Sequence, residues 1–201
     1  MTALVRYTKL LNFIEVKLNG IQITENSSNV KVAATLLSVV IDHAQGIRVL
    51  IEKGAYPSSS ALLRVLFETY IRGMWLWKCA DSRQVDTFIN KDKVISKKGT
   101  KLFFKDLVDQ VEKSHDFPKY LSEIQTRTWS GLNSLTHSGS IQIQNNFDGQ
   151  TIRHCYGDQK IEEMIEFSMI VTCLAFGSLL DLSQYQESDE LTEQLFEIIG
   201  L

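Results

Sequence analysis

Residues 58 to 79, reading SSSALLRVLFETYIRGMWLWKC, constrain the fold more than any other stretch. Pro57 and the three serines after it read as a helix start. Proline suits a first turn, and a serine hydroxyl can accept a bond from a free first-turn N–H. Beyond that start the apolar residues, from Leu62 and Leu63 through Phe67 and Tyr70 to Trp75 and Trp77, occupy every side of the helical wheel. A helix that is apolar all round is buried all round, so the rest of the chain has to wrap it. Arg64, Glu68 and Arg72 interrupt this helix at intervals of four. That interval places all three on one stripe, where Glu68 can pair with either arginine. Charges on a buried helix are costly unless they are paired or face a wet cleft. The stripe therefore reads as an ion network that locks the helix to its neighbours, as an anion-facing site with one positive charge in excess, or as a stripe facing solvent.

With 201 residues the chain is long enough for one domain with a proper core. Its 21 basic and 24 acidic residues give a net charge of −3, unlike a strongly basic nucleic-acid binder. Any contact with nucleic acid has to come from a local patch. Cys79, Cys155 and Cys173 share no metal-like spacing and are odd in number, as expected of reduced thiols in a cytoplasmic protein. The N-terminus has no uninterrupted apolar run and no small-residue cleavage site, so it does not read as a signal peptide. The longest uncharged apolar run, Phe167 to Leu180, is short for a membrane crossing. A soluble protein with no membrane partner is the expectation.

Taken in order, the pattern predicts an all-α fold. It is an up-and-down bundle of about seven or eight helices around the buried 58–79 helix. The first helix covers 3–18. The second runs from about Ser28 to Lys53, with Leu36, Val40, Ile47 and Leu50 on one face and Gly54 as its C-cap. His43 falls on the apolar side, where a histidine is either a satisfied core residue or a binding group. A short connection after Gly54 makes helices two and three antiparallel neighbours. Residues 81–101 are charged, with one short helix around Val85, Phe88 and Ile89. Lysines 91, 93, 97, 98 and 101 follow, the densest basic patch of the chain. They read as a solvated loop or as a phosphate-backbone contact. An amphipathic helix covers about 102–114. A sixth begins at Asp116-Phe117-Pro118 and ends near His137, where Gly139 can stop it. From Ser140 to Gly157, Ile141, Ile143, Ile152 and Tyr156 surround Asp148-Gly149, which signals a small hairpin at 140–156 or an irregular lid. A seventh helix runs from Lys160 to about Leu182, and an amphipathic helix ends the chain. The first and last helices offer apolar faces for pairing with a second copy, so a homodimer is the expected assembly.

Thr136-His137-Ser138 is the most site-like polar cluster. A histidine at a helix C-terminus is favoured when protonated and can do acid–base work near neutral pH. It can equally cap the helix by bonding backbone carbonyls. If the sixth helix packs on the third, His137 can reach Arg64, Glu68 or Arg72. Arg127 lies ten residues before His137, about 15 Å along a helix axis at about 1.5 Å per residue. The two would meet only across an antiparallel dimer. No glycine-rich phosphate loop, metal-ligand spacing or nucleophilic serine elbow is present. No cofactor and no metal is expected.

The segment LLRVLFETYIRGMWLWKCA, followed some sixty residues later by LNSLTHSG, resembles a group of uncharacterised bacterial helical proteins. These share an arginine–glutamate–tyrosine–arginine–tryptophan helix and a threonine–histidine helix end. More distantly it is similar to the HEPN-type bundles of toxins and anti-phage systems. The resemblance covers about residues 30 to 180. It implies a helical bundle acting on RNA or a nucleotide, usually as a dimer. In that role His137 would be acid or base, Arg64 and Arg72 phosphate clamps, and Glu68 their orienting group, with any activity ribonuclease-like and metal-independent. HEPN ribonucleases carry their arginine and histidine closer in sequence than Arg127 and His137 lie. Arg127 and His43 stand as further binding candidates. The alternative is a non-catalytic helical module that binds a partner protein or a small anion.

Overall fold

The computed structural model describes residues 2–115, 120–185 and 187–200. The described residues form nine α-helices and no strand longer than an isolated bridge. They are α1 (Ala3–Leu18), α2 (Ser28–Glu52), α3 (Tyr56–Lys78), α4 (Ser82–Lys91) and α5 (Phe104–His115), then α6 (Tyr120–Thr136), α7 (Ser140–Gln144), α8 (Asp158–Ser183) and α9 (Ser188–Ile199). The expected start of the sixth helix, Asp116-Phe117-Pro118, lies outside the described residues.

The central helix is α3, packed against α2, α5, α6 and α8. Phe67, Tyr70, Ile71, Met74, Trp75 and Leu76 are all within 2% of full burial. Each such side chain contributes roughly 1.5–3 kcal/mol by leaving water. The helix starts two residues earlier than its serines suggest, with Pro57 in its first turn. No side chain caps it. The serines lie inside the helix instead: Ser60 Oγ donates to Pro57 O at 3.0 Å, and Ser59 is fully buried.

Helices α2 and α3 form an antiparallel pair. Gly46 faces Leu62 while Gly73 faces Leu36 and Leu37, so positions early in one helix meet positions late in the other. Gly54 makes the turn between them at φ +70°, and Ala55 N–H donates back to Leu50 O at 2.8 Å. The fully buried positions of α2 include Leu37, Val40, Ile41, Ala44 and Ile47, with Leu36 and Leu50 half-buried.

Helix α1 lies across α2, α8 and α9. Tyr7 is fully buried where three helices meet: its hydroxyl donates to Ala44 O on α2 at 2.8 Å and is hydrogen-bonded to Ser168 on α8. Arg6 Nη1 donates to Ile199 O at the end of α9 at 2.9 Å. The apolar faces of α1 and α9, which the sequence offers to a second copy, thus meet each other and α8.

The 140–156 segment is not a hairpin. Ile141 and Ile143 lie on the short helix α7. Only one antiparallel bridge, Phe147 to Ile152, closes the Asp148-Gly149 turn. The turn itself is well made: Asp148 Oδ1 accepts from the N–H groups of Thr151 and Gln150 at 2.7 and 2.9 Å. Those bonds, Thr151 first, hold the Asp148 carboxyl below its usual range. Two isolated strands have too little to bury. A single turn of helix docked on α6 satisfies more backbone groups.

By length and composition α2 and α8 could each cross a membrane, with mean hydropathy 1.4 and 1.7 over their most apolar stretches. The helix around Phe167–Leu180 is longer than the uncharged run it contains. Within the fold 39% and 61% of those stretches are buried, so α8 is mostly covered and α2 is covered in part.

Candidate functional site at the edge of α3 and α6

The charged stripe of α3 meets the C-terminal end of α6. Arg64 Nε and Nη2 donate to Glu68 Oε1 at 3.1 and 2.8 Å. Glu68 Oε2 faces Arg72 Nη2 at 3.8 Å. The remaining terminal nitrogen of Arg64, Nη1, is hydrogen-bonded to His137 Nε2. The Arg64 guanidinium also lies 5.0 Å from the centre of the Trp129 ring, a cation–π distance. Trp129 in turn stacks on Phe104 at 4.2 Å and 11°. Phe104 meets Phe67 edge-on at 5.5 Å. A column of Phe104, Trp129 and Arg64 therefore runs from α5 through α6 to α3.

Burial grades the three charges. The side chains of Arg64 and Glu68 are 19% and 18% exposed, and that of Arg72 is 43% exposed. His137 is exposed. Arg64 offers only donors and stays charged, so in this contact Nε2 of His137 is placed as the acceptor. Two arginines against one glutamate leave the stripe one positive charge in excess.

The end of α6 aims His137. Ser138 takes the left-handed conformation at φ +56°, and Gly139 N–H donates to Ser134 O at 2.7 Å, which closes the helix. A Cβ on Gly139 would come within 2.9 Å of Ser134 Cα, so only glycine fits. Thr136 Oγ1 donates to Ala61 O on α3 at 3.2 Å and pins the two helices together. His137 is thus not a cap for backbone carbonyls through its side chain. It is a bridge from α6 to α3.

The other two candidates stand apart. The side chain of Arg127 is 81% exposed and faces Glu123 at 4.0 Å. His43 on α2 is half-buried. Burial pushes its pKa below the ordinary 6.5, against the opposing pull of Asp42. It shares no hydrogen bond or ion pair with the cluster. Trp129 and Phe104 are the residues sequence reasoning missed. Trp129 lies two helical turns before His137 on α6, a spacing that could have drawn it to the same side.

Two cavities adjoin the core away from this group. One, of about 400 Å³, opens between α3, α8 and α9 and is lined by Met74, Cys173, Leu195 and Phe196 among others. The second, of about 250 Å³, lies between α3, α6, α7 and α8. There the Tyr156 hydroxyl is 3.2 Å from that of Ser60 and donates to Gln142 Oε1 at 3.0 Å. Neither is lined by Arg64, Glu68, Arg72 or His137. Among the described residues no group of three His, Cys, Asp or Glu side chains is placed to hold a metal ion.

Residues 37–197 match the model of a family of unknown function (DUF6988), and the chain belongs to that family. That match carries no link to HEPN-type bundles or to defence systems. No curated protein and no solved structure matches the chain.

Proposed function

We propose that this member of a family of unknown function binds a phosphate group, of RNA or of a nucleotide, at the α3–α6 edge. Arg72 and His137 are the first contacts, and Arg64 is the fixed cation behind them. The observation that carries this reading is the meeting of Arg64 and His137 at the surface. Arg64 is held by Glu68, His137 and Trp129 together, so it is pre-organised, and with Arg72 it leaves the stripe one positive charge in excess of Glu68. Arg72 is half-exposed, and one long ion pair restrains it. Such a pair is worth at most about 1 kcal/mol, so Arg72 can turn to a ligand at little cost. The Nδ1–H of His137 supplies a further donor.

The same contact favours a second reading, a HEPN-like protein of the toxin or anti-phage kind in which His137 is acid or base on RNA. An arginine beside an imidazole is a pairing that phosphoryl chemistry uses. That reading requires the ring to turn, because its only lone pair faces Arg64. Binding needs no such movement and is the function the geometry supports best. The three free thiols agree with a reducing compartment, and we read the protein as soluble and cytoplasmic.

Calorimetric titration with ATP and with a short single-stranded RNA tests the reading. Arg72→Ala and His137→Ala are each expected to weaken binding about tenfold, which is about 1.4 kcal/mol, with the helical spectrum unchanged. No binding by the wild-type protein, or binding untouched by both variants, overturns the proposal. RNA cleavage by the wild-type protein and none by His137→Ala moves the assignment to the second reading.

A further inference from the structure

The last residue of α4 and the loop that follows it place five lysines, Lys91, Lys93, Lys97, Lys98 and Lys101, against a single aspartate, in a chain whose net charge is −3. All five are exposed. Among the described residues none of them is in an ion pair within 4 Å. The backbone that carries them is held in a defined shape. An antiparallel bridge joins Ile95 to Lys101. Ser96 N–H donates to Thr100 O at 2.7 Å, and Leu102 N–H donates to Val94 O at 3.1 Å. Its base is tied to α4 by the buried Gln84, whose amide donates to Ile95 O at 2.6 Å. The turn therefore presents Lys97 and Lys98 at its tip in a fixed place.

Beside the lysines the next residue out of line is aromatic. Phe103 is 67% exposed, and Lys101 Nζ lies 5.6 Å from its ring centre. An exposed ring among phosphate-seeking cations is the combination that holds single strands: lysines follow the backbone and the ring stacks a base. The neighbouring Phe104 stacks on Trp129, which carries Arg64. The loop thus leads directly to the α3–α6 edge.

We infer that the 91–103 loop is the docking surface for a single-stranded polynucleotide, with Phe103 as a base platform and the lysines on the phosphates. The ligand class is then a polynucleotide rather than a mononucleotide. The loop stands on its own observations; only its continuity with Arg64 rests on the function proposed above. A single exposed ring is too little apolar surface for a lipid bilayer, where a whole helix face is buried.

Fluorescence anisotropy with a labelled single-stranded RNA of about ten nucleotides, and in parallel a mononucleotide titration, tests the inference. Lys97→Glu/Lys98→Glu is expected to lose at least tenfold in oligonucleotide affinity and to keep mononucleotide binding. Phe103→Ala is expected to lose roughly tenfold with the salt dependence unchanged. For the wild-type protein, five phosphate contacts at a slope of about −0.7 each predict roughly a hundredfold loss between 50 and 200 mM salt. A control that reverses the same charge elsewhere, Lys9→Glu/Lys53→Glu, should leave the affinity unchanged. The inference is overturned if the loop variants bind as the wild type does, or if the control falls as far as the loop variant. It is overturned equally if the protein binds phosphatidylserine vesicles and no oligonucleotide. Oligonucleotide binding that depends on the loop but is untouched by Arg72→Ala and His137→Ala, with no mononucleotide bound by the wild type, would sink the α3–α6 reading and leave this one standing.

Discussion

Arg64 is surrounded by three different chemistries: the Glu68 carboxylate, the His137 lone pair and the Trp129 π face. Each uses a different side of the guanidinium, and a lysine could reproduce none of the fork. The sequence made Arg64, Glu68 and Arg72 legible because a four-residue interval on a helix has one geometric meaning. It placed His137 only conditionally, since reaching Arg64 depends on how α6 packs. At the same scale His43 makes a separate prediction. Its pKa is lowered in the fold by burial, so the unfolded chain takes up a proton more readily near and below pH 6.5. Stability then falls as the pH drops through that value toward the lower folded one, because the unfolded state binds more protons there. Chemical denaturation of His43→Gln between pH 7.5 and 5.5 should show a flatter acid-side loss than the wild type. A parallel loss in both proteins would show that His43 titrates alike in both states.

At the scale of elements, the decisive feature is the end of α6. Ser138 in the left-handed conformation and Gly139 pressed on Ser134 turn the chain so that α7 can start at once. Ser134 Oγ then accepts the Ile141 N–H at 3.1 Å. Gly139→Ala should cost about 1–3 kcal/mol, the range for overpacking, read as a lower midpoint in urea with an unchanged slope. A variant as stable as the wild type would mean that the turn relaxes freely. This turn also shows why part of the sequence misleads. Gly139 reads as the residue that stops α6; the left-handed position at that end is Ser138, and the glycine is needed for close approach. Alternating isoleucines around Asp148-Gly149 read as strands, and the Asp148 turn did form. The strands did not, because α6 offered Ile141 a better partner than a free sheet edge would. The long helices α2, α3 and α8 were readable from the length of their apolar patterns, which only a buried helix satisfies.

For the whole molecule, α3 is the axis, and its apolar girth explains why helices surround it. The bundle leaves one edge charged, where α3 and α6 meet, and one loop basic, between α4 and α5. Trp129 and Phe104 join the two; the spacing of Trp129 from His137 hints at its side, but the stacking on Phe104 is a property of packing between separate helices. The all-helical class and the central helix were therefore legible, while the aromatic column under Arg64 was not. The central claim is that the α3–α6 edge receives a phosphate through His137 and Arg72. The most direct measurement is the imidazole nitrogen spectrum of His137 by NMR, assigned with His137→Ala, during a nucleotide titration. Without ligand, Nε2 should be the unprotonated nitrogen and Nδ1 the protonated one. Added nucleotide should shift the His137 signals along a saturable curve, and the shift should vanish in Arg72→Ala. Signals that stay fixed up to millimolar nucleotide would contradict the claim and leave the stripe as an ion network that serves the fold alone.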